Sequence, residues 1–350
     1  MSGEGIGGIA VSRDVVVVGS RDIADQHDVF QGFSAEDGQL LWQHFYPASG
    51  KLDYGNSPRA TPLIDGDYVY TLGAFGDVCC LELETGLVLW QKNIARESRS
   101  PALTWGHSGS PLLLDGTLLL QPGGPTAGIV ALDGESGDKV WGAPGIRAAY
   151  ASMLLKDVQG TLQVIGHDEK SLGGWDAKTG KRIWTVTPQE EGDFNVPTCL
   201  DLGDHLFIAT ENNAARLYTF QEGGVLNPDP VAINEDLKPD SHTPVVSNGR
   251  IYGIHHDLVC LDPSDGLKTV ATFSDNAFGD YGSLVATDSR LLALSTEGEL
   301  LLFSTVDPQP VLLSRLRLKA SRNQVLSHPA FAGTAIYVRL GKDLVRFNLK

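Results

Sequence analysis

Short apolar runs alternate with polar turns along the whole chain, and none of the runs has the periodicity of an amphipathic helix. For example, residues 60–64 are followed by the turn Asp65-Gly66-Asp67 and then by the run Tyr68-Val69-Tyr70-Thr71-Leu72. Runs of this kind, rich in β-branched and aromatic residues and bounded by Gly, Pro and Asp, are typical of strands. Because Gly, Pro and β-branched residues interrupt every longer window, the pattern predicts an all-β fold.

One unit of this pattern recurs eight times. Each copy opens with small or polar residues and an apolar strand, and most copies continue with three more strand-like runs. The openings lie near residues 6, 60, 109, 151, 196, 242, 282 and 327. Repetition of a four-stranded unit predicts a single domain spanning residues 1–350, an eight-bladed β-propeller with four antiparallel strands per blade. The last copy contains only three such runs, so we predict an incomplete eighth blade.

A turn followed by a tryptophan closes the first four copies. The copy Leu83-Glu84-Thr85-Gly86-Leu87-Val88-Leu89-Trp90 is typical of a strand, a tight turn and a second strand. Glycine supplies the positive φ that the turn requires, and the tryptophan ends the outer strand as a large apolar plug. The tryptophans predicted to pack between blades are Trp42, Trp90, Trp141 and Trp184. In the sixth copy, Val270 stands where the tryptophan would be.

Composition narrows the class of protein. The 350 residues include 40 glycines and 18 prolines, which suits a turn-rich β protein. A formal charge of −16 argues against nucleic-acid binding, because phosphate contacts need clustered Lys and Arg, and it is compatible with plain solubility or with a basic partner. No apolar run approaches the roughly 20 residues that span a bilayer. The N-terminus, Met1-Ser2-Gly3-Glu4-Gly5, lacks the basic and apolar regions of a signal peptide.

The four cysteines are predicted to be reduced and structural. They are Cys79, Cys80, Cys199 and Cys260. The Cα atoms of the adjacent pair would lie about 3.8 Å apart, which is shorter than ordinary disulfides allow. On a strand, their side chains would also point to opposite faces. Cys80 and Cys260 occupy the same repeat position, which we interpret as a small buried site.

The turn–tryptophan copies, the Ser/Thr-Pro openings and the Asp-Gly-Asp turns together resemble PQQ-like (pyrroloquinoline-quinone-like) propeller repeats. Such repeats belong to BamB-type lipoproteins of outer-membrane assembly and to bacterial quinoprotein dehydrogenases. The stretches 54–62 and 105–111 look most like those of uncharacterised exported bacterial propellers. The resemblance is stronger up to Trp184. It implies an eight-bladed propeller and a periplasmic or extracellular location, with the signal peptide removed from this chain. It implies no particular reaction, because one fold hosts many functions.

A propeller offers one candidate binding surface. The first strand of each blade lines the axial channel, and the loop that enters this strand shares a face with the loop between the second and third strands. The residues predicted to bind at this channel mouth are Arg59, Trp105, His107, Tyr150, His167, Asn195, Glu211, His242, His255, Tyr281 and His328. Such residues either contact a ligand or partner, or form hydrogen bonds with neighbouring blades.

Neither a metal site nor a catalytic residue is predicted. His107, His242 and His328 belong to non-adjacent copies, whereas a metal needs three or four convergent ligands. His255 and His256 would point to opposite sides of an extended segment. No serine has the sequence context of a nucleophile elbow.

These observations predict a monomeric, non-enzymatic binding or scaffolding propeller of the bacterial cell envelope, which contacts an envelope protein or a small molecule at the channel mouth. One alternative is a dehydrogenase that uses pyrroloquinoline quinone with calcium, which would need an aromatic platform and oxygen ligands for the cation. The residues available for this are Arg59, Trp105, Asn195 and Glu211. The chain lacks the long inserted active-site loops of the dehydrogenases that it resembles. A further alternative is a module that binds a small ligand or a sugar.

Overall fold

The computed structural model describes residues 1, 3–12, 14–279, 281–318 and 325–348. These residues form eight antiparallel sheets, seven with four strands and one with three. Within each sheet the strands are hydrogen-bonded in sequence order, so the first strand of a blade forms one edge and the last strand forms the other. The predicted eight-bladed β-propeller with a three-stranded last blade is confirmed.

Contacts divide the chain into two compact units, Met1–Ala148 with Ser327–Lys350, and Ala149–Leu326. The first unit contains blades 1, 2, 3 and 8, and the second contains blades 4 to 7. The first strand of each blade begins three or four residues after its predicted opening, except in blade 7, where the two coincide.

The first unit is built from four blades and one short helix. Its strands are β1 (Ala10–Ser12), β2 (Val15–Arg21), β3 (His27–Ser34), β4 (Leu40–Pro47), β5 (Leu63–Asp65), β6 (Tyr68–Leu72), β7 (Asp77–Glu82), β8 (Val88–Asn93), β9 (Leu112–Leu114), β10 (Thr117–Leu120), β11 (Ile129–Asp133), β12 (Lys139–Ala143), β29 (Ala330–Ala332), β30 (Ala335–Leu340) and β31 (Asp343–Asn348). The helix α1 (Ile94–Ser98) follows β8. Its N-terminus is capped by Asn93, whose side chain accepts the Arg96 N–H at 2.8 Å.

The second unit is built from four complete blades. Its strands are β13 (Leu154–Val158), β14 (Thr161–His167), β15 (Leu172–Asp176), β16 (Arg182–Val186), β17 (Leu200–Leu202), β18 (His205–Thr210), β19 (Ala214–Thr219), β20 (Ala232–Asn234), β21 (Val245–Ser247), β22 (Arg250–His255), β23 (Asp257–Asp262), β24 (Lys268–Phe273), β25 (Gly282–Ala286), β26 (Arg290–Ser295), β27 (Glu299–Ser304) and β28 (Val311–Arg317). A 3₁₀ helix, Pro263–Asp265, lies between β23 and β24. No helix in the described part of the chain has the length and apolar character needed to cross a membrane.

The turns between third and fourth strands follow the predicted chemistry. In the turn after β11, the Asp133 carboxylate accepts the N–H of Glu135 at 3.1 Å and that of Ser136 at 2.8 Å. Gly137 then adopts a φ of +72°. Because side chains other than glycine are strained in this region, the glycine fixes the turn and with it the start of the fourth strand.

Neighbouring blades within a unit pack through apolar side chains, and successive residues of one strand serve different cores. Cys79 packs between blades 1 and 2 with Phe30, whereas Cys80 packs between blades 2 and 3 with Leu118. All four cysteines are free and buried, and burial raises the pKa of Cys79 to about 12. The prediction of reduced, structural cysteines is confirmed.

Two tryptophans of the first unit contact the next blade in the same way. Trp42 of blade 1 donates its Nε1–H to the Leu83 carbonyl of blade 2 at 2.7 Å. Its ring lies against Gly86, where a Cβ would meet the ring at 2.7 Å. Trp90 of blade 2 donates to the Gly134 carbonyl at 2.8 Å and lies against the turn glycine of blade 3. We call the turn glycine, together with the carbonyl three residues before it, the tryptophan seat of a blade.

The other two tryptophans are placed differently. Trp184 is buried, and its Nε1–H reaches Gln163 Oε1 at 2.7 Å. Gln163 Nε2 in turn donates to the Gly224 carbonyl of blade 5 at 2.8 Å, so a glutamine side chain connects the tryptophan to the next blade. Trp141 of the first unit is half-buried.

The expectation that Val270 replaces the tryptophan of blade 6 is wrong. Where β23 pairs with β24, Cys260 lies opposite Ala271. In blade 2 the corresponding pair is Cys80 and Trp90. Leu267 follows the turn glycine and also has a positive φ, +61°, so the turn is one residue longer. Ala271 therefore occupies the tryptophan position.

Candidate functional site

The loop that enters blade 5, residues 187–199, meets the turn between β18 and β19 in the second unit. Asp193 joins them, because its carboxylate accepts the Thr210 hydroxyl at 2.7 Å, the Asn212 backbone N–H at 2.8 Å and the Asn213 side-chain amide. Asp193 is buried, and a buried carboxylate is costly unless such bonds satisfy it. The blade 5 loop is thus fixed by a polar network.

A buried arginine lies beside this network. Arg216 of β19 is only 7% exposed, and its terminal nitrogens donate to the hydroxyls of Thr210 at 3.1 Å and Tyr218 at 3.4 Å. Thr210 thereby links Arg216 to Asp193, so the opposite charges compensate each other through one hydroxyl. In the described part of the chain, Arg216 forms no ion pair with a carboxylate, and its Nε–H has no hydrogen-bond partner. This N–H is an unused donor.

Arg216 forms part of the wall of an open cleft of about 870 Å³, which we call the blade 5 cleft. Exposed carboxylates of Glu190, Glu191 and Asp229 line it, and none of them forms an ion pair within the described residues. A fourth carboxylate, Glu235, pairs with Lys238 at 2.6 Å. The cleft therefore combines a negative rim with one buried cation.

His167 lies next to the polar network. Its Nε2 is 3.6 Å from the Sγ of Cys199, and both side chains are buried. Burial lowers the pKa of His167 to about 3, and the positive charge of Arg216 contributes in the same direction. The imidazole is therefore neutral at physiological pH and serves as an internal hydrogen-bonding group.

Asn195 and Glu211 also lie at this site. Asn195 is buried with a left-handed backbone, φ +52°, and its side-chain amide donates to the carbonyls of Asp168 at 3.4 Å and Asp193 at 3.5 Å. Burial raises the pKa of Glu211, and the nearby carboxylates of Asp240 and Asp193 raise it further. Asn195 shapes the loop, whereas the raised pKa of Glu211 reflects its desolvation and the repulsion of neighbouring carboxylates.

Two adjacent histidines of blade 6 have a geometry that the sequence did not predict. The ring of His255 stacks on that of His256 with their centroids 4.9 Å apart. The expectation that they point to opposite sides is wrong, because His256 has a φ of +62° and the segment is not extended. The Nδ1 of His255 is 3.0 Å from the Asp236 carbonyl.

The remaining predicted residues of the second unit have separate environments. His242 is buried, and its Nε2 accepts the Ile254 backbone N–H at 2.7 Å. Tyr150 is buried, whereas Tyr281 is exposed. None of the three lines the blade 5 cleft.

The first unit contains four of the predicted residues. The guanidinium of Arg59 donates to three carbonyls of its own loop, including that of Gly55 at 2.9 Å. His107 is buried, which lowers its pKa to about 4. Trp105 is half-buried, and His328 is exposed, although the surrounding protein lowers its pKa. Arg59 and His107 are thus engaged within the fold.

The structure brings His167, Asn195 and Glu211 together around a centre that the sequence did not reveal. The sequence does offer a sign that Arg216 is buried. It is the single cation within the apolar strand 214–218, and it lies on the same face of this strand as Tyr218, which packs between blades. The sequence offers no such sign for Asp193, because the partners of its carboxylate lie 17 to 20 residues further along the chain.

The described residues contain no group of three or more His, Cys, Asp or Glu side chains that could hold a metal ion. Of the residues considered for the quinone, Arg59 and Trp105 belong to the first unit, and Asn195 and Glu211 belong to the second. Arg59 and Asn195 are already bonded to backbone carbonyls. These two side chains are therefore engaged within the fold.

The eight sequential sheets and the turn–tryptophan repeats define the chain as a PQQ-like β-propeller. The family described as "Outer membrane protein assembly factor BamB" matches residues 1–185, and the chain belongs to this family. No curated protein matches the sequence significantly.

Solved structures share the fold at low sequence identity. BamB from Moraxella catarrhalis is 16% identical with a TM-score of 0.65, and the match covers 97% of this chain and 92% of that chain. The computationally designed Ika8 protein is 11% identical with a TM-score of 0.71, covering 100% and 97%. Quinohemoprotein alcohol dehydrogenase from Comamonas testosteroni is 13% identical with a TM-score of 0.66, covering 98% and 72%.

Proposed function

We propose that this chain is a non-enzymatic binding and scaffolding propeller of the bacterial cell envelope, and that it contacts a partner at the blade 5 cleft. The observation that carries the proposal is the cleft itself, which combines walls fixed by the Asp193 network with three exposed carboxylates that form no ion pair within the described residues. Membership of a family described by outer-membrane assembly supports an envelope location and a protein partner.

The chemistry of the cleft favours a basic peptide segment as the bound part of the partner. The carboxylates of Glu190, Glu191 and Asp229 attract Lys or Arg side chains. The exposed side chain of Ile233 provides an apolar contact for the segment. The volume of about 870 Å³ is within the range of sites that enclose small ligands.

Binding of a short basic peptide tests this proposal. The probe is a fluorescein-labelled octapeptide of alternating Lys and Leu, titrated with the protein and followed by fluorescence anisotropy. The cleft variant carries Glu190→Gln, Glu191→Gln and Asp229→Asn. The matched control carries Glu84→Gln, Glu135→Gln and Asp138→Asn, which remove the same charge from exposed turns of the first unit. We expect the cleft variant alone to lose about tenfold or more in affinity.

Equal weakening in both variants would refute the cleft as the contact site, because only the net charge would then matter. The non-enzymatic part is tested by incubating the protein with pyrroloquinoline quinone and calcium and by measuring dye-linked alcohol oxidation. Turnover above the protein-free background would overturn that part. Recovery of the protein in the cytoplasmic fraction of its own cells would contradict the envelope location.

A further inference from the structure

An open groove of about 470 Å³ lies beside α1 in the first unit, and we call it the α1 groove. Its walls are the end of β4 with the residues that follow it, the turn between β6 and β7, and α1 with the two residues after it. α1 is the one α-helix that the described residues form, so the four-stranded repeat does not account for this part of blade 2.

Hydrogen bonds and close packing fix the walls of the α1 groove. The N–H of Ile94, the first residue of α1, donates to the Gly76 carbonyl at 2.8 Å. The side-chain amide of Asn93 donates to the Phe75 carbonyl at 3.2 Å, while its side-chain oxygen caps the helix. A Cβ on Gly76 would lie 2.6 Å from the Cβ of Ala95, so the turn and the helix are in close contact. A ligand would therefore not have to order these walls when it binds.

Two arginines, Arg96 and Arg99, line the α1 groove. Both are exposed, and neither guanidinium forms a hydrogen bond or an ion pair within the described residues. Because the chain has 43 acidic and 27 basic residues, a cation on its surface readily finds a carboxylate partner. Ser49 adds an exposed hydroxyl to the same groove, and it too has no hydrogen-bond partner among the described residues. The groove thus presents three unused donor groups.

The carboxylate of Asp77 also lines the α1 groove. Its partial burial raises its pKa, while a hydrogen bond from Asn93 and the charge of Arg96 act in the opposite direction. Asp77 is the one acidic residue in the lining, against two arginines. The groove therefore has a net positive charge in a chain whose formal charge is −16.

We propose that the α1 groove binds a phosphate group, carried either by a small soluble metabolite or by a lipid headgroup. A planar guanidinium can donate two parallel N–H bonds to an oxyanion, and such charge-assisted bonds are among the stronger ones. Two guanidinium groups and one hydroxyl match the three terminal oxygens of a phosphate monoester better than the two oxygens of a carboxylate. The volume of about 470 Å³ leaves room for a small organic group beside the phosphate. The groove shares no residue with the blade 5 cleft, so it can bind its ligand whether or not the cleft binds a peptide.

Titration with a soluble phosphate monoester tests this proposal. The probe is glycerol 3-phosphate, added to the intact protein at pH 7 and low salt and followed by isothermal titration calorimetry, with acetate for comparison. We expect saturable binding of glycerol 3-phosphate and about tenfold or more weaker binding of acetate.

A pair of double variants locates the contact. The groove variant carries Arg96→Gln and Arg99→Gln and should bind glycerol 3-phosphate about tenfold or more weakly. The matched control carries Lys178→Gln and Lys181→Gln, which remove the same charge at the same spacing from an exposed turn of the second unit, and it should leave the affinity unchanged. Urea melts of both variants check that each remains folded.

Asp77→Asn tests the sign of the charge that the groove selects. The change removes the one carboxylate of the lining and keeps the shape of the side chain, so it should tighten binding of glycerol 3-phosphate about two- to fivefold. Weaker binding by this variant would contradict the selection of an anion.

Vesicles distinguish the two sources of the phosphate. The protein is sedimented with phosphatidylcholine vesicles that contain phosphatidic acid and with vesicles that lack it. Sedimentation that requires phosphatidic acid and is lost in the groove variant would assign a lipid headgroup, whereas binding of glycerol 3-phosphate alone would assign a soluble metabolite. No saturable binding of either probe, equally tight binding of acetate, or equal losses in the groove variant and its control would overturn the proposal.

Discussion

Replacing Gly86 by alanine tests whether the tryptophan seat couples neighbouring blades. Two costs add at this position. A non-glycine residue at a φ of +70° loses roughly 1–2 kcal/mol. The new Cβ would also lie 2.7 Å from the Trp42 ring, and overpacking of this kind costs roughly 1–3 kcal/mol. The ring cannot retreat easily, because Gly32 closes its other side, where a Cβ would lie 2.3 Å away.

Gly38→Ala separates the two costs. Gly38 occupies the same turn position in blade 1 with nearly the same φ, +74°, but no described atom lies close to its missing side chain. It should therefore lose only the backbone cost of roughly 1–2 kcal/mol, while Gly86→Ala loses roughly 2–5 kcal/mol. Urea unfolding of each variant, compared at an unchanged m-value, measures the difference.

A double-mutant cycle completes this test. In a Trp42→Ala background the steric cost at Gly86 disappears, so the effect of Gly86→Ala should fall to that of Gly38→Ala. Equal losses for the two alanine variants in the wild-type background would show that the ring does not press on Gly86, and the coupling argument would fail.

Three further predictions concern buried groups. Trp42→Phe removes the bond to the Leu83 carbonyl and should lower the unfolding free energy by about 1 kcal/mol in urea melts, and no change would refute a role for this bond. Because the folded-state pKa of His107 is about 4 and the unfolded value is about 6.5, the unfolded state binds the proton first as pH falls. The stabilisation that is fully present above pH 6.5 should thus fall by up to about 1.4 kcal/mol per pH unit down to about pH 4. In the His107→Gln variant, the unfolding free energy measured in urea at pH 7, 6 and 5 should fall less steeply with decreasing pH, by that same amount per pH unit. All four thiols should resist a thiol reagent in the native protein and react after unfolding, and rapid labelling of Cys79 in the native state would contradict its burial and raised pKa.

The fold could be predicted because its signals are local. Each blade repeats short strands, polar turns and a glycine with positive φ, and these features lie within ten or so residues of each other. The same reasoning failed at Val270, because one extra residue with positive φ in the turn shifts the register, and spacing from the glycine does not reveal it. The tryptophan of a blade and its seat lie more than 40 residues apart, so their contact emerges only in the structure.

The candidate site was less predictable for a similar reason. The sequence named residues on loops that enter the blades, and His167, Asn195 and Glu211 do lie together. Asp193 and Arg216 organise these residues. Asp193 bonds the loop that enters blade 5 to the end of β18, and Arg216 of β19 bonds the same Thr210 hydroxyl. Hydropathy identifies which residues are buried in a strand, but it does not identify which distant hydroxyl or amide satisfies a buried charge.

The glutamine between Trp184 and blade 5 has a consequence for how the repeats can diverge. A primary amide both accepts and donates, so Gln163 extends the link between tryptophan and carbonyl by the length of one side chain. The irregular turn at residues 221–224 can therefore differ from its counterparts in the earlier blades without losing contact with the tryptophan before it. Flexible side-chain linkers of this kind allow a repeat protein to accept insertions in one blade while its neighbours keep their original turns.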